Sequence, residues 1–221
     1  MKRMMDMNSN RDNTFSIVAR DPETGALAAA VATARFAVGN RVPFVEYHVG
    51  AVTTQADTNV MLAKEALNLL RAGSSAAEAM ETVLKNDPQR DDRQISVLDA
   101  RGGQAAFTGT NPDDYKGHLF GENCIVAGNI LVGPQTLAAM VEAFDATAGS
   151  LGDRVMAAME AGQKAGGDRR GKVSSAIIVA YVPPSPYAYT QNIDLRIDSS
   201  KDPVADLRIL YTAYKAAFGI Q

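Results

Sequence analysis

Thr14 opens the run Thr-Phe-Ser-Ile-Val-Ala-Arg, and its hydroxyl is the first candidate nucleophile of the chain. A threonine at the head of a mature chain carries a hydroxyl and an α-amine on one residue. That amine, with an ordinary pKa of about 7.7–8.0, is largely neutral near pH 8 and can take the hydroxyl proton during attack on a carbonyl. No histidine is then needed, and the chain has only 2, His48 and His118. The segment MKRMMDMNSNRDN precedes Thr14. While it is attached, the amine is an amide nitrogen and cannot act as a base. The plain alternative is that Thr14 starts an edge strand, since threonine favours strands.

Further polar residues stand where strands are expected to end. Arg35 follows a small-residue strand and would lie near Thr14 across a hairpin. A fixed cation there favours the neutral amine and stabilises negative charge developing on oxygen; otherwise it is a surface arginine. Gln55 closes the segment Gly-Ala-Val-Thr-Thr-Gln and offers a side-chain amide to a substrate carboxylate or amide. Asp57 beside it is a substrate-binding candidate, with helix N-cap as its other role, one that Thr58 or Asn59 could fill instead. Gly128 and Asn129 sit in Ala-Gly-Asn-Ile-Leu, where a glycine allows close approach and N–H groups could form an oxyanion hole. A turn asparagine bonding its own backbone is the alternative. Asp168, with Ser174 behind it, completes the set, unless Asp168 only ends a helix or pairs with an arginine. Cys124 stands beside Ile125 and Val126, an apolar setting that raises a thiol pKa and leaves it inert. No His, Cys or carboxylate cluster has metal-ligand spacing, so no metal or cofactor is expected.

These residues need elements to hold them. Residues 14–20 alternate as a strand and turn on Asp-Pro-Glu-Thr-Gly. Residues 26–34 are small and apolar, as in a strand covered on both faces. Phe36 to Pro43 reads as a loop and 50–55 as a strand. A helix over 59–72 ends at Gly73, and Ser75 with Glu78 forms a capping box opening a helix to about Lys85. Strands at 95–98 and 104–108 form a meander, 109–123 a polar loop, and 124–131 another apolar strand. Pro134 opens a helix bearing Leu137, Met140, Val141 and Phe144, and a further helix runs from Leu151 to Gly166-Gly167. A strand over 174–182, a loop at 182–187, a strand over 193–197 and a helix after Asp202-Pro203 finish the chain. Strands gather at both ends without regular strand–helix alternation, which argues against a doubly wound parallel sheet. Two stacked antiparallel sheets with helices outside fit better.

The bulk numbers narrow the class. Of 221 residues, 46% are hydrophobic and 21% charged, ordinary values for a soluble globular protein. A net charge of −3 and the lack of any basic run give no reason to expect nucleic acid. One cysteine rules out an internal disulfide and suits a reducing, cytoplasmic setting. No run of 18 apolar residues suggests a membrane span, and the first 13 residues lack the apolar core of a secretory signal. They are expected to be a disordered or removed leader, or the result of a wrong start, ahead of one domain over 14–221. A homodimer is expected from base rates alone.

Taken in order, TFSIVARDPETG, the small-residue strand with FAVG, GAVTTQ, AAFTG at 105–109, AGNIL at 127–131 and GDRRGKVSSAIIV at 167–179 resemble the DUF1028 family. That group is uncharacterised and belongs to the N-terminal nucleophile (Ntn) hydrolase superfamily. The resemblance runs from Thr14 to about Tyr214. It implies an α+β fold, a four-layer αββα sandwich, and hydrolysis of an amide-type C–N bond in a small polar substrate of amide, ureide or lactam type. Catalytic roles then fall to Thr14, Arg35, Asn129 and Asp168, and substrate contacts to Gln55, Asp57, Gly128 and Ser174. An aspartate and a serine near a terminal threonine are similar to the way other Ntn hydrolases orient the amine. Some members begin Met-Thr-Phe-Ser, and this chain departs from them by its leader. The alternative function is a non-catalytic ligand-binding or assembly protein of the same fold with Thr14 left capped. A peptidase is disfavoured, since nothing marks a peptide-binding edge.

Overall fold

The computed structural model describes residues 11–12, 14–183, 185–186 and 191–220. Of the leader only Arg11 and Asp12 are described, and of the loop at 182–187 all but 184 and 187.

Strand β2, Thr14–Arg20, leads into β3, Leu27–Thr33, through a turn organised by one carboxylate. Asp21 accepts from the Glu23 amide at 2.9 Å and the Thr24 hydroxyl at 2.8 Å, and Gly25 takes φ 74, which a glycine adopts without steric cost. Every residue of β3, LAAAVAT, is buried, as the sequence predicts for a strand covered on both faces. Its small side chains let layers approach from both sides.

The six-stranded sheet runs β11-β10-β3-β2-β9-β8, with β8 at Gly117–Phe120, β9 at Cys124–Gly128, β10 at Ser174–Ala180 and β11 at Ile193–Ile197. The second sheet holds β1 (Arg11–Asp12), β4 (Pro43–Glu46), β5 (Gly50–Asp57), β6 (Arg93–Asp99) and β7 (Gln104–Thr108). Among the described residues every pairing between these strands is antiparallel. Helices α1 (Val60–Arg71) and α2 (Ala76–Lys85) bury Leu62, Leu70 and Val83 against Val52, Ile95 and Val97 of the second sheet. Helices α3 (Gln135–Ala146), α4 (Leu151–Lys164) and α5 (Pro203–Phe218) bury Leu137, Met159 and Leu207 against Phe15, Ile17 and Ala30 of the first. The layer order is α, β, β, α. The fold is therefore the expected α+β sandwich of two antiparallel sheets between helices.

Local chemistry sets the helix ends. Ser75 and Glu78 form the expected capping box, and Ser150 and Asp153 form a second one. The N-cap of α1 is Asn59, whose side chain accepts from the Met61 amide, so Asp57 does not cap it. In α4, Gly162 lets the helix lie close on the sheet: a Cβ there would come 2.7 Å from Met140 Cγ and 3.2 Å from Phe15 Cε2.

Two expected loops contain strands. Pro43, read as a breaker, is the first residue of β4, a place where a strand needs no donor from it. The polar stretch 109–123 includes β8, whose Leu119 and Phe120 are exposed on the sheet edge. Arg11 and Asp12 pair antiparallel with Asp57 and Ala56, so the chain ahead of Thr14 crosses from one sheet to the other.

The layer between the sheets changes character along the strands. At one end it is apolar, built from Val18, Leu27, Ala29, Ala51, Leu98 and Ile125. At the other end Thr14, Ser16 and Thr33 meet Thr53, Gln55, Gln94 and Ser96, all buried. Ser16 Oγ donates to Thr53 Oγ1 across the gap at 3.4 Å. A buried polar layer costs stability unless its groups are paired, so such a layer inside a sandwich marks where to look for a site.

Candidate functional site

Register places four polar residues in one row across the six-stranded sheet. Thr14 pairs with Thr33, and Thr33 with Ser174. On the other side Phe15 pairs with Gly128, and the next residue, Asn129, donates its backbone N–H to the Thr14 carbonyl at 3.0 Å. Ser174, Thr33, Thr14 and Asn129 thus lie side by side, each at most 1% exposed. Three of them stood far apart in the sequence as separate candidates, and strand order brings them together.

Across the gap, a residue that sequence reading missed holds the opposing layer. Gln94 Nε2 reaches Thr108 Oγ1 at 2.9 Å, the Gly117 carbonyl at 3.0 Å and the Gly128 carbonyl at 2.9 Å. Two of those partners are carbonyls, which only accept, so the nitrogen of Gln94 must face them. Its Oε1 is left to receive Gln55 Nε2 at 2.7 Å and Asn129 Nδ2 at 2.9 Å. The orientation of all three amides follows. Gln55 Oε1 and Asn129 Oδ1 then stay buried without a hydrogen-bond partner. One signal was legible: Gln94 and Ser96 alternate with Ile95 and Val97 on β6, and Thr53 and Gln55 stand two residues apart on β5. In a strand with both faces covered, a polar alternation faces the interior rather than water.

The other candidates take positions around this core. Ser174 Oγ donates to the Arg35 carbonyl at 2.6 Å and accepts from the Val38 amide at 3.1 Å, so it fixes the loop after β3. Arg35 lies two residues past the Thr14–Thr33 pair, half-buried. Asp168, 4% exposed, accepts from the Ala34 amide at 3.1 Å and pairs with Arg170 at 2.6 Å. It also bridges to Leu131, which ties the segment after Asn129 to the end of β3. Asp57 lies at the end of β5, 3.5 Å from Arg93 Nη1, apart from the row. Gly128 has no room for a side chain, since a Cβ would come 2.6 Å from Leu131 Cδ1.

Backbone strain gathers at the same end. Ala56 follows Gln55 with φ 69, Ile130 follows Asn129 with φ 50, and Ala37 stands two residues after Arg35 with φ 53. Left-handed backbone at a non-glycine residue costs on the order of 1–3 kcal/mol and persists where surrounding structure enforces it. Three of the four described non-glycine residues with left-handed backbone thus stand beside candidates; the fourth, His48, lies between β4 and β5.

Other nucleophiles and bases lie elsewhere. Burial pushes the Cys124 thiol up to about 12, so it is protonated and inert. Burial lowers the pKa of His118, which contacts Thr108 Oγ1 through Nδ1 at 3.0 Å. Among the described residues no group of three or more His, Cys, Asp or Glu could hold a metal ion. Among the same residues no helix is long and apolar enough to cross a membrane. An open cavity of about 230 Å³ lies between β4 and the β10–β11 pair, lined by Val45, Tyr47, Ile178 and Asp194. It lies toward the end of β10 away from Ser174, so volume and chemistry do not coincide here.

The crystal structure of a Silicibacter pomeroyi protein of the DUF1028 family superposes with a TM-score of 0.83 at 35% identity, covering 92% of this chain and 86% of that one. Eukaryotic HslV from Trypanosoma brucei matches at 12% identity and a TM-score of 0.43, over 75% of this chain and 98% of that one. Anbu, an ancestral β-subunit from Yersinia bercovieri, matches at 10% and 0.37, over 92% and 96%. A comparison with curated proteins finds no match. The model of the family of unknown function DUF1028 matches residues 14–207, beginning at Thr14, and the chain belongs to that family.

Proposed function

We propose that this protein is an N-terminal nucleophile amidohydrolase, with Thr14 as nucleophile once the leader has been removed. The observation that carries the reading is the row Ser174–Thr33–Thr14–Asn129 with strained backbone around it. The family match beginning at Thr14 supports it too. The substrate is a small polar compound with an amide, ureide or lactam-type C–N bond.

Hydrolysis of the peptide bond ahead of Thr14 frees the α-amine. Thr14 Oγ then attacks the substrate carbonyl carbon while the amine takes the hydroxyl proton. Arg35 and the second N–H of Asn129 Nδ2 stabilise the oxyanion. Collapse breaks the C–N bond, and the protonated amine gives its proton to the leaving nitrogen. A water molecule, deprotonated by the same amine, opens the Thr14 ester and releases the acid. Asp168 and Ser174 act by positioning: they hold the Ala34–Val38 loop that carries Arg35.

A second reading has its own observation. Thr14 is fully buried and Arg11–Asp12 pair with β5 beyond it, the arrangement of a chain that keeps its leader and binds without catalysing. Turnover of a panel of primary amides and ureides by protein expressed to begin at residue 14, wild type against Thr14→Ala, separates the two. The hydrolase reading expects a loss of at least about 10³-fold, the scale of a removed nucleophile. Equal rates, or none in either form, favour the binding reading.

A further inference from the structure

Two acceptors stand out in the polar layer. Gln55 Oε1 and Asn129 Oδ1 are buried without a hydrogen-bond partner, in residues that are 0% exposed. Their amide nitrogens both converge on Gln94 Oε1, at 2.7 and 2.9 Å, so amide geometry keeps both carbonyl oxygens within about 5 Å of that one atom. That point lies at the level of Thr14. Asn129 is its neighbour in the row, and Gln55 is two residues along β5 from Thr53, which meets Ser16. The crossing of Arg11 to Asp57 gives the direction of this register.

A buried carbonyl left without a donor costs on the order of 1–3 kcal/mol, and reorienting either amide does not remove the cost. Turning Gln55 or Asn129 over would set oxygen against Gln94 Oε1. Turning Gln94 over would set oxygen against the Gly117 and Gly128 carbonyls. Two fixed acceptors call for N–H donors from outside. A carboxylate could take the second N–H of either amide nitrogen, but it would leave both carbonyls without a donor and set a negative charge beside their lone pairs. Of the two groups that the Gln55 amide could receive, the arrangement therefore favours the amide over the carboxylate. An ammonium would lose its hydration shell with no buried counter-charge among these three side chains.

We infer that the Gln55–Gln94–Asn129 relay is a specificity element for a neutral group bearing two N–H donors, a primary carboxamide or a ureido end, and that it rejects a carboxylate of the same shape. This rests on the amidohydrolase reading for the site's purpose, but its geometry does not involve Thr14 as a nucleophile. Gln94 positions the other two side chains, and Gln55 and Asn129 make the contacts.

The test uses the chain beginning at residue 14 and carrying Thr14→Ala, without the Arg11–Asp12 strand that pairs beside Gln55, with succinamide and succinate as a matched pair of probes. Succinamide at ten times its dissociation constant should raise the melting temperature by about 3–6 °C, and succinate should leave it unchanged. A Gln55→Met replacement removes one stranded acceptor while keeping volume. It also removes the donation to Gln94 Oε1, so its effect is read on binding: it should weaken succinamide at least about tenfold, the scale of one lost hydrogen bond. Equal response to the two probes, response to neither, or undiminished succinamide binding by Gln55→Met overturns the inference. Because the probe chain lacks the Thr14 hydroxyl, failure here leaves the nucleophile to its own test. Failure of Thr14 processing equally leaves this result standing.

Discussion

Asn129 and Gln94 clasp the two sheets together: Asn129 Nδ2 donates to Gln94 Oε1 at 2.9 Å, while Gln94 Nε2 donates to the carbonyl of the preceding residue, Gly128, also at 2.9 Å. One side chain from β6 thus fixes both the backbone and the side chain at the end of β9. Replacing Gln94 by leucine strands the Gly117 and Gly128 carbonyls and both amide nitrogens. At about 1–3 kcal/mol for each buried group left unpaired, a loss of at least about 3 kcal/mol is expected in urea unfolding. A loss under about 1 kcal/mol would show that the relay is not structural.

Much of the fold was legible because hydrophobic periodicity and cap chemistry are local. The β2–β3 hairpin, the Ser75–Glu78 box and the all-buried β3 needed no long-range information. The strand at 117–120 was hidden because His118, Leu119 and Phe120 lie on a sheet edge without clean alternation. The site was legible as a set of types but not as an arrangement. Thr14, Asn129 and Ser174 become neighbours only through the order β10-β3-β2-β9, which the sequence does not display. Gln94 escaped notice because a polar alternation normally signals a solvent face, and here it faces the six-stranded sheet. Asp57 was weighed as helix cap or binder; the cap is Asn59, and Asp57 lies beside Arg93 at the end of β5.

Gly162 should tolerate no methyl group. A Cβ at 2.7 Å from Met140 Cγ and 3.2 Å from Phe15 Cε2 forces α4 off the sheet behind Thr14. Overpacking of this kind costs roughly 1–3 kcal/mol. Gly162→Ala should lower the melting temperature by about 2–12 °C, measured by calorimetry; an unchanged value would mean that α4 shifts freely.

Acid should unfold the protein by removing two carboxylates. Burial raises the pKa of Asp87, but hydrogen bonds from Arg93 and the Gln89 amide outweigh it and hold the group below its ordinary value. At Asp153 burial is likewise outweighed by Lys215, Ser150 and Tyr211. A carboxylate with a lowered folded pKa contributes stability that is fully present above its unfolded value, about 3.9, and lost as pH falls through the lower folded value. Urea midpoints should therefore fall below about pH 4, and Asp153→Asn should flatten that fall. An unaltered slope in the variant would exclude Asp153 as a contributor.

Cys124 should not react with a thiol reagent at pH 8 while the chain is folded, because burial holds its pKa near 12. Labelling should appear only with unfolding, at a rate that follows denaturant. Rapid native labelling would contradict its placement in β9 under α3.

The state of the Thr14 amine is the most direct test of the central claim. Intact mass and N-terminal sequencing of protein expressed from Met1 without an N-terminal tag, wild type and Thr14→Ala together, read it out. The account predicts a mature wild-type chain beginning at Thr14 and an uncut Thr14→Ala chain, since removal of the leader then depends on the same hydroxyl. A leader still present in the wild type after long incubation would contradict it, because a blocked amine cannot serve as the base.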